Sequence, residues 1–402
     1  MTSAIVIGGG IAGCSTAHAL AERGVNVTLL ERHETIAQEA SGNPLAMLYP
    51  KLSVKPSMQH MLIMQAFNFT ANWLKNLANN GSYFQACGQI QLAYNAAESA
   101  KHDELFNSDY LHKNSWFCDF LSAAEASERA GIALKTGGIF LKQAGWVSPP
   151  LLCAALINHP LISLQANNHA ASIIYNNNAW RVSFIELKQS IEADNIVICN
   201  ANDVKQFGFC QSADISPVRG QVNFFAENAA SQALKTIICS DHFISPAVAG
   251  WHSFGTSYAP NDMNAAISAQ DSQQNLAALS KISPDVLREI DIKSVQARVA
   301  WRSQTLDYMP LAGQLLDDGK LRQNPPRYNA APESLPWLQG LYVNASHGSK
   351  GMITAPLCGE LIASLVTKSE LPMNAKLASR LNPSRFMLRE LGLKLLASSL
   401  YK

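Results

Sequence analysis

Three glycines near the N-terminus have the spacing of a dinucleotide-binding loop. Gly8, Gly10 and Gly13 form a G-x-G-x-x-G pattern within VIGGGIAG. The first glycine permits a tight turn, the second lets backbone amides approach a pyrophosphate, and the third allows a helix and a strand to pack closely. Glu31 follows at the distance where a carboxylate accepts hydrogen bonds from an adenosine ribose. These four residues predict a dinucleotide site.

A second glycine-rich loop lies near the other end of the chain, from His347 to Gly351, and it precedes a helix predicted over 352–366. NAD and FAD both use the first kind of loop, so the second loop must discriminate between them. The pyrimidine edge of a flavin gains negative charge on reduction, and the free amides of a helix N-terminus suit that edge. Lys350 adds a cation at the same place. The pair of loops therefore predicts FAD, with a helix start that binds no ligand as the alternative for the second loop.

The elements around the first loop form a βαβ unit. A strand over 4–7, a helix over 12–23 closed by Gly24, and a strand over 25–29 follow one another. A long amphipathic helix is predicted over MQHMLIMQAFNFTANWLKNL, ending near Gly81. Such an opening favours an α/β fold.

Strand-rich sequence between about 215 and 315 predicts an open, mostly antiparallel sheet inserted into this fold. The expected architecture is α/β (α+β), with a Rossmann-like FAD-binding domain built from discontinuous segments and an inserted substrate domain. The expected FAD-binding segments are 1–80, 137–212 and 333–402, and the expected substrate-domain segments are 81–136 and 213–332.

The amino-acid composition limits the classes of protein to which the chain can belong. The 402 residues are enough for two domains, and 31 basic against 30 acidic residues give no global attraction to a polyanion. The eight cysteines form no C-x-x-C pair or Cys/His cluster, which predicts reduced buried thiols and no metal site. Neither a basic leader nor eighteen consecutive apolar residues occur, so we expect a cytoplasmic protein.

Several motifs resemble the D-amino-acid-oxidase-like flavoproteins, a group that includes glycine and sarcosine oxidases. They are VIGGGIAG, GWVSPPLL, IEADNIVICNA, RGQV, RSQTLDYMPLAG and GLYVNASHGSKGMITAPLCGEL. Within that group, ASGNPLAMLYPKLS, SPVRGQVNFF, GTSYAPND and LNPSRFMLREL resemble the FAD-dependent oxidoreductase module of bifunctional tRNA 5-methylaminomethyl-2-thiouridine biosynthesis proteins. The resemblance covers essentially the whole chain. One departure is Ala46, where the family usually has glycine.

The resemblance implies a specific reaction. Such modules oxidise the carboxymethylaminomethyl group of the tRNA wobble uridine, releasing glyoxylate and leaving aminomethyluridine. The relatives carry an N-terminal methyltransferase module, whereas this sequence starts a few residues before the flavin strand. We therefore expect tRNA as the substrate. For methyl transfer, the alternatives are a separate methyltransferase polypeptide as a partner and a chain that is one half of a bifunctional protein. The alternatives are a small-molecule amine or amino-acid oxidase and a non-catalytic flavin-bound RNA-binding module.

The same resemblance implies the site residues. Arg302 matches the arginine that anchors the substrate carboxylate in glycine-oxidising relatives, with a structural ion pair as the alternative. Lys350 and Tyr258 are expected at the substrate, and Asp307 is expected to brace a loop. No cysteine stands at a family attachment position, so FAD is expected to be non-covalent. The residues expected to contact FAD are Gly8, Gly10, Ile11, Ala12, Gly13, Glu31, Arg32, Ser41, Gly42, Asn43, Tyr49, Pro50, Gly348, Ser349, Lys350, Gly351 and Met352.

The C-terminal tail, 368–402, is basic, with seven Lys and Arg against two Glu. A local basic patch suits contacts to RNA phosphates. Arg380, Arg385 and Arg389 are the expected contacts, and a solvated helix face is the alternative.

Overall fold

The computed structural model describes residues 2–55, 57–77, 83–108, 116–176, 178–185 and 189–401. In chain order the helices of these residues are α1 (Ile11–Ala21), α2 (Met58–Leu77), α3 (Ala96–Phe106), α4 (Ala123–Ala130), α5 (Pro149–Ile157), α6 (Ala269–Ile282), α7 (Pro284–Arg288), α8 (Asp318–Gln323), α9 (Gly351–Thr367), α10 (Ala375–Leu381) and α11 (Arg385–Glu390). The strands are β1 (Ser3–Ile7), β2 (Asn26–Leu30), β3 (Ala46–Leu48), β4 (Phe84–Gln85), β5 (Gln89–Leu92), β6 (Cys118–Leu121), β7 (Gly138–Leu141), β8 (Gly145–Val147), β9 (Ile162–Gln165), β10 (Ala170–Asn176), β11 (Ala179–Phe184), β12 (Ser190–Ala193), β13 (Asn195–Ile198), β14 (Ile215–Ala226), β15 (Ile237–Cys239), β16 (Phe243–Ile244), β17 (Trp251–Gly255), β18 (Ala259–Pro260), β19 (Gln296–Thr305), β20 (Leu311–Leu316) and β21 (Trp337–Ala345).

The chain separates into two compact units. The first unit comprises Met1–Gly42, Pro149–Pro217 and Arg302–Lys402, and the second comprises Asn43–Ser148 and Val218–Trp301. Strands β14 and β19 contain residues of both units.

A six-stranded sheet organises the first unit, in the order β20-β21-β13-β1-β2-β9. Its neighbours pair in parallel except for β20 and β21, which pair antiparallel. Ile5 and Ile7 of β1 join a buried cluster with Val182 of the three-stranded sheet β10-β11-β12. Val6 points to the opposite face, where it lies beneath α1 beside Gly13. Both faces of the sheet are covered, as in Rossmann-like folds.

The second unit is built on a mixed sheet in the order β18-β14-β17-β16-β15-β5-β7-β6, with β19 pairing to β14. Strands β15 and β5 are parallel, and the other described pairings along this order are antiparallel. A smaller sheet, β3-β8-β4, completes the unit. The expected α/β fold with an inserted, mostly antiparallel sheet is therefore confirmed.

The unit boundaries differ from the expected domain segments. Residues 43–80 and 137–148 fall in the second unit, because β8 pairs with β3 and β4 while β7 pairs with β5. Residues 302–332 fall in the first unit, because β20 pairs with β21 at the edge of the six-stranded sheet.

The helix predicted to end near Gly81 is observed as α2, and its expected end lies outside the described residues. Across the described ranges, no helix combines the length and apolar character needed to cross a membrane.

Candidate functional site

The loop between β1 and α1 is shaped by two glycines that cannot be replaced without a collision. Gly8 has a φ of 111°, and a Cβ on it would lie 2.8 Å from the carbonyl oxygen of Cys199. A Cβ on Gly13 would lie 1.8 Å from the carbonyl oxygen of Gly8. Helix α1 can therefore start at Ile11 directly against the strand, with the amides of its first turn directed away from the helix body.

Glu31 immediately follows β2 and lies beside this loop. Its Oε2 accepts a hydrogen bond from Gly9 N at 2.7 Å, and its Oε1 accepts one from His33 N at 2.9 Å. The side chain is buried. These bonds fix the carboxylate, whose remaining lone pairs suit ribose hydroxyls.

Ser41 brings a hydroxyl group to the N-terminus of α1. Its Oγ accepts a hydrogen bond from Ile11 N at 3.0 Å, and a Cβ on Gly10 would lie 3.3 Å from the same oxygen. A helix N-terminus flanked by a hydroxyl and by glycine backbone is a suitable anion site. Gly42 closes the short 3-10 turn that carries Ser41.

Arg32, another expected FAD contact, already has protein partners. Its guanidinium binds Asp203 Oδ2 at 2.8 Å and Glu39 Oε1 at 2.6 Å, and the side chain is 38% exposed. Its contact with FAD stays a prediction.

The two glycine-rich helix starts lie side by side in the first unit. Helix α9 begins at Gly351, one residue before its predicted start, and a Cβ on Gly351 would lie 3.9 Å from Ile11 Cγ2. Further along, a Cβ on Gly359 would lie 3.0 Å from Thr16 N, so the two helices pack with close backbone contact. Ala12 and Met352, both buried, belong to the first turns of these helices. One dinucleotide could therefore reach both helix N-termini.

His347, the first residue of the second loop, was not among the expected site residues. Its Nδ1 lies 2.9 Å from the Thr354 hydroxyl, which donates its proton to the carbonyl oxygen of Lys350 at 3.0 Å. The hydroxyl has one proton, so Nδ1 must be the donor in the first of these bonds. Burial lowers the pKa of His347 to about 3, and the ring is neutral.

Nε2 of His347 is consequently unprotonated and can only accept a hydrogen bond. It is buried and has no hydrogen-bond partner among the residues that the structure describes. A buried acceptor of this kind is satisfied by a donor from a bound group or from an ordered water molecule. The sequence signal for this role is a histidine as the first residue of the second glycine-rich loop.

Arg302 belongs to the C-terminal half of β19, which runs beside the second loop. Ser303 Oγ lies 2.9 Å from Ser346 Oγ, and Gln304 forms a β-bridge with His347. A Cβ on Gly348 would lie 3.5 Å from Gln304 Oε1. Side chains alternate along a strand, so Arg302 and Gln304 share the face that borders Gly348. The structure thus brings the Arg302 backbone to the loop that contains Lys350 and Ser349.

The other expected residues belong to the second unit. Asn43 Oδ1 accepts a hydrogen bond from Arg298 Nη1 at 2.8 Å. Pro50 is buried, Tyr49 is half-buried, and Tyr258 is exposed. Arg298 was not predicted as a site residue, although it stands four residues before the expected anchor in β19 and therefore on the same face of the strand.

The expected RNA contact by Arg385 is wrong. Its side chain is fully buried, and it donates to both carboxylate oxygens of Asp307 at 2.9 and 2.8 Å. It also donates to the carbonyl oxygens of Met309 and Pro310. The number of basic residues in the tail did not predict this burial, because α11 packs Arg385 inward against the turn that contains Asp307. Lys402 lies outside the described residues.

Asp307 is the acidic member of this cluster of charged side chains, and it was expected to hold a loop in place. Arg389, which is half-buried, also binds Asp307, at 2.9 Å. Burial would raise the pKa of Asp307, but the hydrogen bonds and charges of Arg385 and Arg389 outweigh it and hold that pKa well below its usual range. The cluster anchors the turn that follows β19.

The residues of the first unit fit a flavin dinucleotide: a glycine cradle, a fixed carboxylate, two adjacent helix N-termini and an unsatisfied buried acceptor. In agreement with this, the family model for FAD dependent oxidoreductases (DAO) matches residues 3–365. The chain belongs to this family of FAD-dependent oxidoreductases.

Its curated relatives include the tRNA 5-methylaminomethyl-2-thiouridine biosynthesis bifunctional protein MnmC of Ectopseudomonas mendocina (strain ymp). That protein is 38% identical, over 96% of this chain and 60% of its own length. The protein of the same name from Methylobacillus flagellatus is 36% identical, over 99% of this chain and 61% of its own length. The chain thus spans about three fifths of the relatives it matches.

Solved structures share the fold. Glycine oxidase from Geobacillus kaustophilus superposes with a TM-score of 0.77 at 21% identity, covering 96% of this chain and 99% of that one. Iminodiacetate oxidase from Chelativorans sp. BNC1 has a TM-score of 0.76 at 16% identity, covering 94% and 98%.

Proposed function

We propose that the protein removes the carboxymethyl arm from 5-carboxymethylaminomethyl-(2-thio)uridine in tRNA, giving 5-aminomethyl-(2-thio)uridine and glyoxylate. The observation that carries this proposal is the similarity, over 96% of the chain, to proteins named for biosynthesis of 5-methylaminomethyl-2-thiouridine in tRNA. A tRNA substrate implies action in the cytoplasm. The aminomethyl product would then be consumed by a methyltransferase, which could be a separate polypeptide.

The reacting group is an N-substituted glycine. Removal of a hydride and a proton from its CH–NH bond gives an imine, and water hydrolyses the imine to the primary amine and glyoxylate. FAD, when bound, supplies the two-electron acceptor. We propose that it is held non-covalently, since none of the eight cysteines stands at a family attachment position. All eight are free thiols, and seven of them are buried.

The residues of the chain have separate tasks in this proposal. The loop at Gly10 and the α1 N-terminus hold the pyrophosphate, and Glu31 binds the ribose. The α9 N-terminus, with Lys350, stabilises the pyrimidine edge of the flavin, and His347 Nε2 accepts a hydrogen bond from the bound cofactor.

Substrate binding falls to Arg302, whose guanidinium binds the carboxylate through two parallel hydrogen bonds. That anchor orients the Cα–H of the glycine arm for oxidation. Support comes from its place on the strand bordering the second loop. Lys350 and Tyr258 are proposed as further substrate contacts.

Conversion of modified tRNA tests the proposal. The holoenzyme is incubated with tRNA carrying carboxymethylaminomethyluridine, the nucleosides are analysed by mass spectrometry, and glyoxylate is quantified. We expect aminomethyluridine and glyoxylate in equal amounts. Unchanged tRNA together with rapid oxidation of free glycine or sarcosine would instead assign the protein to small-molecule oxidases. Unchanged tRNA with no amine oxidation would leave a flavin-bound RNA-binding module.

Arg302→Ala should slow flavin reduction by substrate tRNA at least ~30-fold at subsaturating concentration, because truncation strands the substrate carboxylate without its partner. Arg302→Lys should recover only part of the loss, since a point charge lacks the forked geometry. The measurement is anaerobic stopped-flow bleaching of the flavin. The matched control is Arg322→Ala, an exposed arginine of the same unit paired with Glu390. Reduction of the Arg302→Ala variant at the control rate would remove this residue from the mechanism.

A further inference from the structure

A cavity of about 430 Å³ opens on the second unit, and three of its four charged lining residues are basic. Arg129, Lys142 and Lys235 line it together with one carboxylate, Asp119. Lys142 Nζ lies 2.8 Å from Asp119 Oδ1, so these two charges neutralise each other. Arg129 and Lys235 are exposed and, within the part of the chain that the structure describes, neither forms an ion pair with a carboxylate. The cavity therefore keeps two positive charges directed at solvent.

The backbone holds these two cations on one wall. Arg129 lies in the last turn of α4, which ends at Gly131 in a left-handed conformation with φ 78°. A Cβ on Gly131 would lie 1.9 Å from the carbonyl oxygen of Ala233, so only glycine lets the segment carrying Lys235 approach so closely. Lys235 N then donates to the carbonyl oxygen of Ala130 at 2.8 Å. The proximity of the cations is built into the fold.

The guanidinium group of Arg129 is also held in a fixed orientation. Its guanidinium carbon lies 4.8 Å from the centroid of the Phe140 ring, which is buried in the wall. Gly88 leaves room for that ring, since a Cβ there would lie 2.3 Å from it. Stacking on an aromatic face fixes the plane of the guanidinium while its N–H donors stay available.

We propose that this cavity binds a phosphodiester of the tRNA backbone, with Arg129 donating two parallel hydrogen bonds and Lys235 acting as a point charge. The inference rests on the proposed function, because that function makes a polyanion the substrate. The volume is in the range of ligand sites and accommodates a phosphate with its flanking ribose. Contacts of this kind position the RNA without reading its sequence.

The test compares two double variants of the full-length holoenzyme in tRNA binding over a series of salt concentrations. Arg129→Gln/Lys235→Gln should weaken binding about tenfold and reduce the log-log salt slope by roughly 0.7 to 0.9, the value for one phosphate contact. The matched control is Lys281→Gln/Arg288→Gln, which removes the same charge from exposed residues of the same unit that pair with Asp241 and Asp285. We expect the control to bind like the wild type.

Each other outcome overturns the proposal. Equal weakening by both double variants would mean that only net charge matters. Wild-type binding by the cavity variant, with normal conversion of modified tRNA, would discard the cavity and leave the proposed function intact. Millimolar inorganic phosphate competes with tRNA for a phosphate site. If it weakens tRNA binding by the wild type and by the cavity variant to the same extent, the phosphate site lies elsewhere. Failure of the wild type to bind tRNA at all would refute the proposed function and this inference together.

Discussion

Replacing Arg385 distinguishes a structural role of this arginine from a role in RNA binding. Its guanidinium is fully buried, is paired with Asp307, and also donates to four backbone carbonyl oxygens. Truncating one member of a buried ion pair costs about 3 to 5 kcal/mol, because the other charge loses its partner. Arg385→Ala should therefore reduce the free energy of unfolding by about that amount and lower the Tm by roughly 4 to 6 °C, given the unfolding entropy expected for a chain of 402 residues.

The pH dependence provides a second measurement on the same variant. The pKa of Asp307 is lower in the folded protein than in the unfolded chain. Its ionised form therefore stabilises the fold above the unfolded pKa of about 3.9, and this contribution disappears as the pH falls through the folded pKa. The stability difference between wild type and Arg385→Ala should be full at pH 7 and shrink progressively below about pH 4.

Urea unfolding followed by tryptophan fluorescence measures both effects. Arg389→Ala is the matched control: this arginine makes one bond to the same carboxylate and is 29% exposed, so its removal should cost about 1 kcal/mol. In a double-mutant cycle, Asp307→Ala and Arg385→Ala should be strongly non-additive. A loss of stability below about 1 kcal/mol at Arg385, accompanied by weaker tRNA binding, would refute the structural role and restore the surface interpretation.

Three further predictions concern the cofactor and the tail. Acid or heat should release about one FAD per chain into solution, whereas flavin retained on the precipitated polypeptide would contradict non-covalent binding. Gly13→Ala should lower the FAD content, measured by absorbance, at least tenfold, because the added Cβ would lie 1.8 Å from a carbonyl oxygen. The control Gly319→Ala, at an exposed position of α8, should keep its full FAD content. Glutamine at the exposed tail lysines should reduce the salt slope of tRNA binding by roughly 0.7 to 0.9 for each phosphate that is no longer bound, and an unchanged slope would show a merely solvated surface. Those lysines are Lys368, Lys376 and Lys394.

Local patterns predicted the two helix starts well. The geometry of Gly8 and Gly13 depends on neighbours only a few residues away or on the adjacent strand, and the G-x-G-x-x-G spacing encodes it directly. Helix α9 begins within one residue of its predicted start for the same reason. That the two starts lie side by side follows from strand order, because β21 and β1 both pair with β13.

Long-range pairing was harder to predict. The boundary at Gly42 depends on β3 pairing with β8, about a hundred residues later, and no local signal marks that partner. The acceptor role of His347 depends on the proton of Thr354, which is a property of a hydrogen-bond chain rather than of a motif. Burial of Arg385 likewise depends on the turn at Asp307, which is distant in sequence.

The burial of one tail arginine changes how the protein would engage tRNA. A charge already neutralised inside the fold releases no counterions when RNA binds, so it adds nothing to the salt dependence. The exposed cations proposed above for phosphate contacts are Lys368, Lys376 and Lys394 of the first unit and Arg129 and Lys235 of the second. If each of the three lysines reaches one phosphate and Arg129 and Lys235 share another, together they contribute about 2.8 to 3.6 to the log-log slope. Such contacts hold the RNA without distinguishing one sequence from another. Under the proposed function, selection of the modified wobble uridine then falls to Arg302, the proposed carboxylate anchor. A tRNA lacking the carboxymethyl arm should bind with the same salt slope as the substrate but leave the flavin oxidised.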